Sequence, residues 1–114
     1  MITLYGISNC DTMRKSGKWL DSQNIEWSLH DYRKHGIDHA LAAELLAVFG
    51  SERLINKRGT TWRQLPADQQ ARIADPAATV ALIQAYPALI KRPVVRSGTQ
   101  GWALGYEELT NLPG

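Results

Sequence analysis

A single cysteine, Cys10, in a chain of 114 residues excludes an internal disulfide. The length is nevertheless enough to bury a core as one domain, residues 1–114, without disulfide or metal support. Also missing are a charged-then-apolar leader and any apolar run long enough to span a bilayer. Those absences predict no membrane partner and a reducing cytoplasm, the compartment that suits a free thiol. Charge of one sign is lacking too: 13 Lys and Arg against 11 Asp and Glu leave a net +2, too balanced to predict direct nucleic-acid binding. No repeat or low-complexity tract stands out, and the even composition predicts a monomer.

What charge there is falls in clusters. Arg53, Lys57, Arg58 and Arg63 lie mid-chain, and Lys91, Arg92 and Arg96 follow later, two basic segments able to meet around an anion.

Ile2 and Leu4 alternate with Thr3 as in a strand that Gly6 closes. From Asp11 to about Ser22, Met13, Gly17 and Leu20 share one helical face, and Gly17 lets that face come close to a sheet. Asn24 is the expected stop. Ile25, Trp27 and Leu29 alternate with Glu26, Ser28 and His30, which predicts a second strand with one buried face, parallel to the first through a right-handed crossover. Asp38 is placed to cap a helix with Leu41, Leu45, Val48 and Phe49 inward and Gly50 at its end. Residues 51–90 carry turn residues and short helical pieces, with Asp75-Pro76 as N-cap and first turn before Val80 and Ile83, so 38–90 is expected to be a helical insertion. Pro93–Arg96, a turn at Ser97-Gly98-Thr99-Gln100 and Gly101–Leu104 predict a hairpin, followed by a short helix from about Tyr106. A parallel pair plus an antiparallel hairpin, flanked by helices, is the α/β plan of a thioredoxin-like mixed sheet, whose first strand-to-helix loop would hold Cys10.

That position matters chemically. A thiol at a helix start meets unpaired N–H groups and the positive end of the helix dipole, which favour the thiolate nucleophile. Polar neighbours Ser8, Asn9, Asp11 and Thr12 suit an exposed loop better than a core, although the Asp11 carboxylate opposes the effect. Met13 stands where a dithiol oxidoreductase has its second cysteine, so the resolving thiol must come from outside, as glutathione or another protein's cysteine. Ser16 stands where a cysteine phosphatase has its arginine, which removes that class. Arg92 precedes Pro93, a proline expected to be cis beside the cysteine loop, and its planar fork suits an oxyanion or a glutathione carboxylate. Arg58 reads equally as an anion ligand and as a solvated arginine. His30, His35 and His39 have no companion cysteine or carboxylate cluster, so no metal site is expected. Trp19, Trp27, Trp62 and Trp102 are read as core.

Four runs in this order, Tyr5-Gly6-Ile7-x-x-Cys10-x-Thr12-x-x-Lys15, His30-Asp31-Tyr32-Arg33, Leu54–Trp62 and Ile90–Val94, resemble the arsenate reductase (ArsC)/Spx family, and most closely its small YffB-like branch. The resemblance implies a catalytic Cys10, anion-binding Arg58 and Arg92, no bound cofactor, glutathione as co-substrate and glutaredoxin as a further partner. Asn9 and Thr12 are expected to contact the thiolate or its anion. The third arginine that arsenate reductases carry near the final hairpin has no counterpart in Gly101–Gly105, which favours a glutathione-dependent thiol reductase over a true arsenate reductase. Spx relatives imply a different class, a transcriptional regulator binding RNA polymerase, although Met13 removes their Cys-x-x-Cys switch.

Overall fold

Alternating apolar residues start the fold at β1 (Ile2–Gly6), where Ile2 and Leu4 point to one side of a sheet. The computed structural model describes residues 1–98 and 101–112. After β1 come α1 (Asp11–Ser22), β2 (Trp27–Asp31) and α2 (Tyr32–His35). Then α3 (His39–Phe49), α4 (Ser51–Leu54), α5 (Thr60–Gln64), α6 (Ala67–Ala71) and α7 (Pro76–Ala85) precede the hairpin β3 (Val94–Ser97) and β4 (Gly101–Leu104) and the closing α8 (Tyr106–Thr110). Short 3-10 turns lie at Arg72–Ala74 and Pro87–Leu89.

The strand order is β2-β1-β3-β4, with β1 parallel to β2 and antiparallel to β3, and β3 antiparallel to β4. This is the expected mixed sheet. The last two residues of the expected turn, Thr99 and Gln100, lie outside the described residues. One compact unit comprises Met1–His35 with Arg92–Gly114, and the other Gly36–Lys91.

In the sheet unit, Ile2, Leu4, Val95 and Ala103 meet Met13 and Leu20 of α1 and Leu109 of α8 in one buried cluster. Two glycines set the distance between layers: a Cβ at Gly6 would stand 2.6 Å from Met13 Sδ, and one at Gly17 would stand 2.7 Å from the Trp27 ring. Helix α1 ends as expected, with Asn24 at φ 57°. On the opposite sheet face Tyr5 and its register partner His30 stack at 5.1 Å, and Trp102 lies 6.2 Å from Tyr5.

The expected burial of β2 does not hold. The strand begins at Trp27, leaving Ile25 before it, and Leu29 is 37% exposed because β2 is the sheet's edge, with a neighbour on one side only. None of the four tryptophans is core; each is half-buried. Trp27 keeps its indole N–H near the surface, donating to the Asp21 carboxylate at 2.9 Å, and the Arg96 guanidinium lies 5.0 Å from the Trp102 ring.

In the other unit, Asp38 caps α3 by accepting the Leu41 N–H at 2.8 Å. The buried stripe of α3 is Ala42, Leu45 and Phe49, while Val48 is 42% exposed, since it sits about 100° round the helix from Phe49. Pro76 opens α7 as expected, but the Asp75 carboxylate makes no cap hydrogen bond; its backbone carbonyl accepts from both the N–H and the hydroxyl of Thr79. Val80, Leu82 and Ile83 of α7 are buried, and Ile55 and Ile90 form a one-residue antiparallel bridge. Among the described residues no helix is long and apolar enough to cross a membrane.

Candidate active site

Cys10 is the N-cap of α1, with extended backbone (φ −142°, ψ 132°). Its carbonyl accepts the Arg14 N–H at 3.0 Å, and its side chain makes no cap hydrogen bond. The thiol is half-buried against the α1 cluster and free of any disulfide.

The polar neighbours have specific partners. Arg14 donates to Asn9 Oδ1 at 3.2 Å and pairs with the Asp11 carboxylate, so the negative charge next to the thiol is matched by a guanidinium one turn along. Asn9 thus spends its side-chain oxygen on Arg14. Thr12 is half-buried, with its carbonyl accepting from the Ser16 hydroxyl at 2.7 Å. Lys15 Nζ stands 4.1 Å above the Tyr106 ring.

Two elements flank this loop. Gly6 is level with Asp31 of β2, and Tyr5 is level with Val94 of β3, so continuing the ladder brings Pro93 and Arg92 to the end of β1 that leads into Cys10. The Arg92-Pro93 peptide is cis, and the Pro93 carbonyl accepts the Gly105 N–H at 2.8 Å. Arg92 is half-buried and Pro93 buried.

Asp31 holds the loop to β2. Its buried carboxylate accepts the Ser8 N–H at 3.4 Å and the Arg33 N–H at 2.9 Å. The Ser8 hydroxyl, those N–H groups and the Lys34 charge keep its pKa below the usual carboxylate value, against the upward push of burial. Beside it Tyr32 is 2% exposed, with its hydroxyl lacking a hydrogen-bond partner among the described residues. Burial raises the Tyr32 pKa above the usual phenol value, helped by Tyr5 and opposed by Arg92.

Five of the predicted site residues, Cys10, Asn9, Thr12, Arg92 and Pro93, belong to the sheet unit. Arg58 belongs to the other, exposed on a turn where Asn56 Oδ1 accepts the Arg58 N–H at 3.2 Å and the Asn56 carbonyl accepts the Gly59 N–H at 3.2 Å. Sequence reasoning gave no role to Arg14, Asp31 or Tyr32. The i,i+3 spacing of Asp11 and Arg14 was a readable signal for the first. Asp31 and Tyr32 belong to the His30-Asp31-Tyr32-Arg33 run, but the Ser8 N–H that Asp31 accepts comes from elsewhere in the chain, and the burial of Tyr32 depends on the fold.

The ArsC family model matches residues 5–110. This chain belongs to the ArsC family. An uncharacterized protein of Haemophilus influenzae is 46% identical over 96 residues, covering 83% of this chain and 82% of that one. Among solved structures, a YFFB protein matches with TM-score 0.82 and 38% identity over 92% of this chain and 90% of that one. An arsenate reductase (ArsC) related protein from Brucella melitensis matches with TM-score 0.76 and 38% identity over 91% and 85%. The ArsC-type thioredoxin-like fold and the YffB-like branch expected from the sequence are therefore those of this chain.

Proposed function

We propose that this ArsC-family chain is a glutathione-dependent thiol reductase of the arsenate reductase-like type, with Cys10 as its nucleophile. The observation that carries the reading is the placement of the chain's one thiol at the N-cap of a 12-residue helix, uncommitted to capping. In a glutathione mixed disulfide RS–SG, the Cys10 thiolate attacks the glutathione sulfur. The Cys10–SG bond forms, the RS–SG bond breaks, and RS⁻ leaves with the electron pair and takes a proton from water. A second glutathione thiolate then attacks the same glutathione sulfur, forming GS–SG and returning Cys10 as thiolate. The sum is RSSG + GSH giving RSH + GSSG. Met13 supplies no second thiol, so the resolving thiol is external, with glutaredoxin as an alternative to free glutathione.

Arg92 is assigned to a carboxylate of glutathione, with backbone N–H groups of Asn9 and Thr12 at the helix start, and Arg58 keeps the anion-binding role that the family resemblance implies. Gly101–Gly105 offers no third guanidinium, so a singly charged carboxylate is a better match than a dianionic arsenate.

Replacing Cys10 with Ser is expected to abolish glutathione-dependent reduction of a mixed disulfide, followed by coupled oxidation of NADPH through glutathione reductase, with an unchanged circular dichroism spectrum. Retention of turnover in Cys10→Ser removes the proposal.

A further inference from the structure

Among the described residues, the side-chain polar atom buried without a hydrogen-bond partner is the Tyr32 hydroxyl. Nearly all such atoms in folded proteins have partners, because a buried hydroxyl forfeits the hydration it had in the unfolded chain. Its neighbours place it beside the Cys10 loop. Tyr32 follows Asp31, whose carboxylate is tied to Ser8 in the Cys10 loop, and its ring meets His30 edge-on at 5.9 Å. The register that brings Arg92 to the Cys10 end of β1 also brings Asp31 level with Gly6, so Tyr32 and Arg92 follow and precede strands at the same end of the sheet. The Arg92 charge acts on the Tyr32 hydroxyl.

What the pair can recognise follows from its chemistry. Burial keeps Tyr32 protonated, so its hydroxyl is a neutral donor, and Arg92 is a cation with donors only. An unpartnered hydroxyl donor and a cation are both matched by an anion with more than one oxygen, and a planar carboxylate suits the guanidinium fork.

We infer that the Tyr32 hydroxyl is a second donor at an Arg92 carboxylate subsite, making this chain selective for thiols and disulfides that carry a carboxylate. The inference rests on the glutathione reading of Cys10. Tyr32 would contact the carboxylate and not the reacting sulfur, so it is a specificity residue. Arg92 alone attracts any anion, whereas the hydroxyl adds a directed bond that only a correctly placed oxygen satisfies.

The test uses the full chain and two probes, glutathione disulfide and bis(2-hydroxyethyl) disulfide, which has no carboxylate. The rate at which each modifies Cys10 is followed by intact-protein mass spectrometry in the parent and in Tyr32→Phe, which keeps the ring and removes only the orphan hydroxyl. The ratio of the glutathione disulfide rate to the hydroxyethyl disulfide rate is expected to fall roughly tenfold in Tyr32→Phe. A general disturbance of the Cys10 loop would lower both rates and leave the ratio in place, which would overturn the inference and spare the glutathione reading. If Cys10 of the parent chain takes up no glutathione, both fall together.

Discussion

Asp31 joins segments far apart in the chain, since the Ser8 N–H it accepts lies 23 residues earlier, in the loop that carries Cys10. Its folded pKa lies below the ordinary 3.8, so the linkage has a definite sign. The carboxylate's contribution is fully present above the unfolded value and drains away as pH falls through the folded one. Asp31→Asn should therefore cost about 1–2 kcal/mol at neutral pH, by unpairing part-buried donors, and the difference from the parent should shrink towards the acid end. Urea unfolding at neutral and acid pH measures both; a difference that does not change with pH contradicts the assignment. The thiol at a strand-to-helix loop was legible in Cys10's polar neighbours. Asp31's role was not, because a carboxylate shows its partner only when β2 lies beside β1.

Among the elements, α1 and β2 are coupled by one missing side chain. Alanine raises helix propensity over glycine by about 1 kcal/mol, yet a Cβ at Gly17 would press on the Trp27 ring at 2.7 Å, and that ring is held by Asp21. Overpacking costs about 1–3 kcal/mol, so Gly17→Ala should be destabilising on balance and lower the Tm by about 4–8 °C in a thermal melt. A raised Tm would mean the ring yields freely. Helix positions and the hairpin were readable from periodicity and capping residues, as Asp38 and Asn24 illustrate. Exposure of Leu29 and Val48 was not, because period alone marks a face and not what covers it.

The whole molecule has one thiol, and this limits its redox chemistry. Unfolding should be indifferent to dithiothreitol, as no disulfide contributes to stability. Glutathione disulfide should add one glutathione per chain by intact mass, and none in Cys10→Ser. A second adduct, or a reductant-dependent Tm, would contradict the single-thiol mechanism.

By itself the sequence determined the order of strands and helices, the cap of α3, the helix-start position of Cys10 and the lack of a second cysteine, all of which depend on spacing and residue type along the chain. Only the tertiary structure decided that β2 is an edge, that Asp11 pairs with Arg14, that Asp31 anchors the Cys10 loop and that the Tyr32 hydroxyl is buried without a partner among the described residues. The difference is physical: local periodicity and capping act over a few residues, whereas burial and hydrogen-bond satisfaction depend on which distant segments the sheet brings side by side.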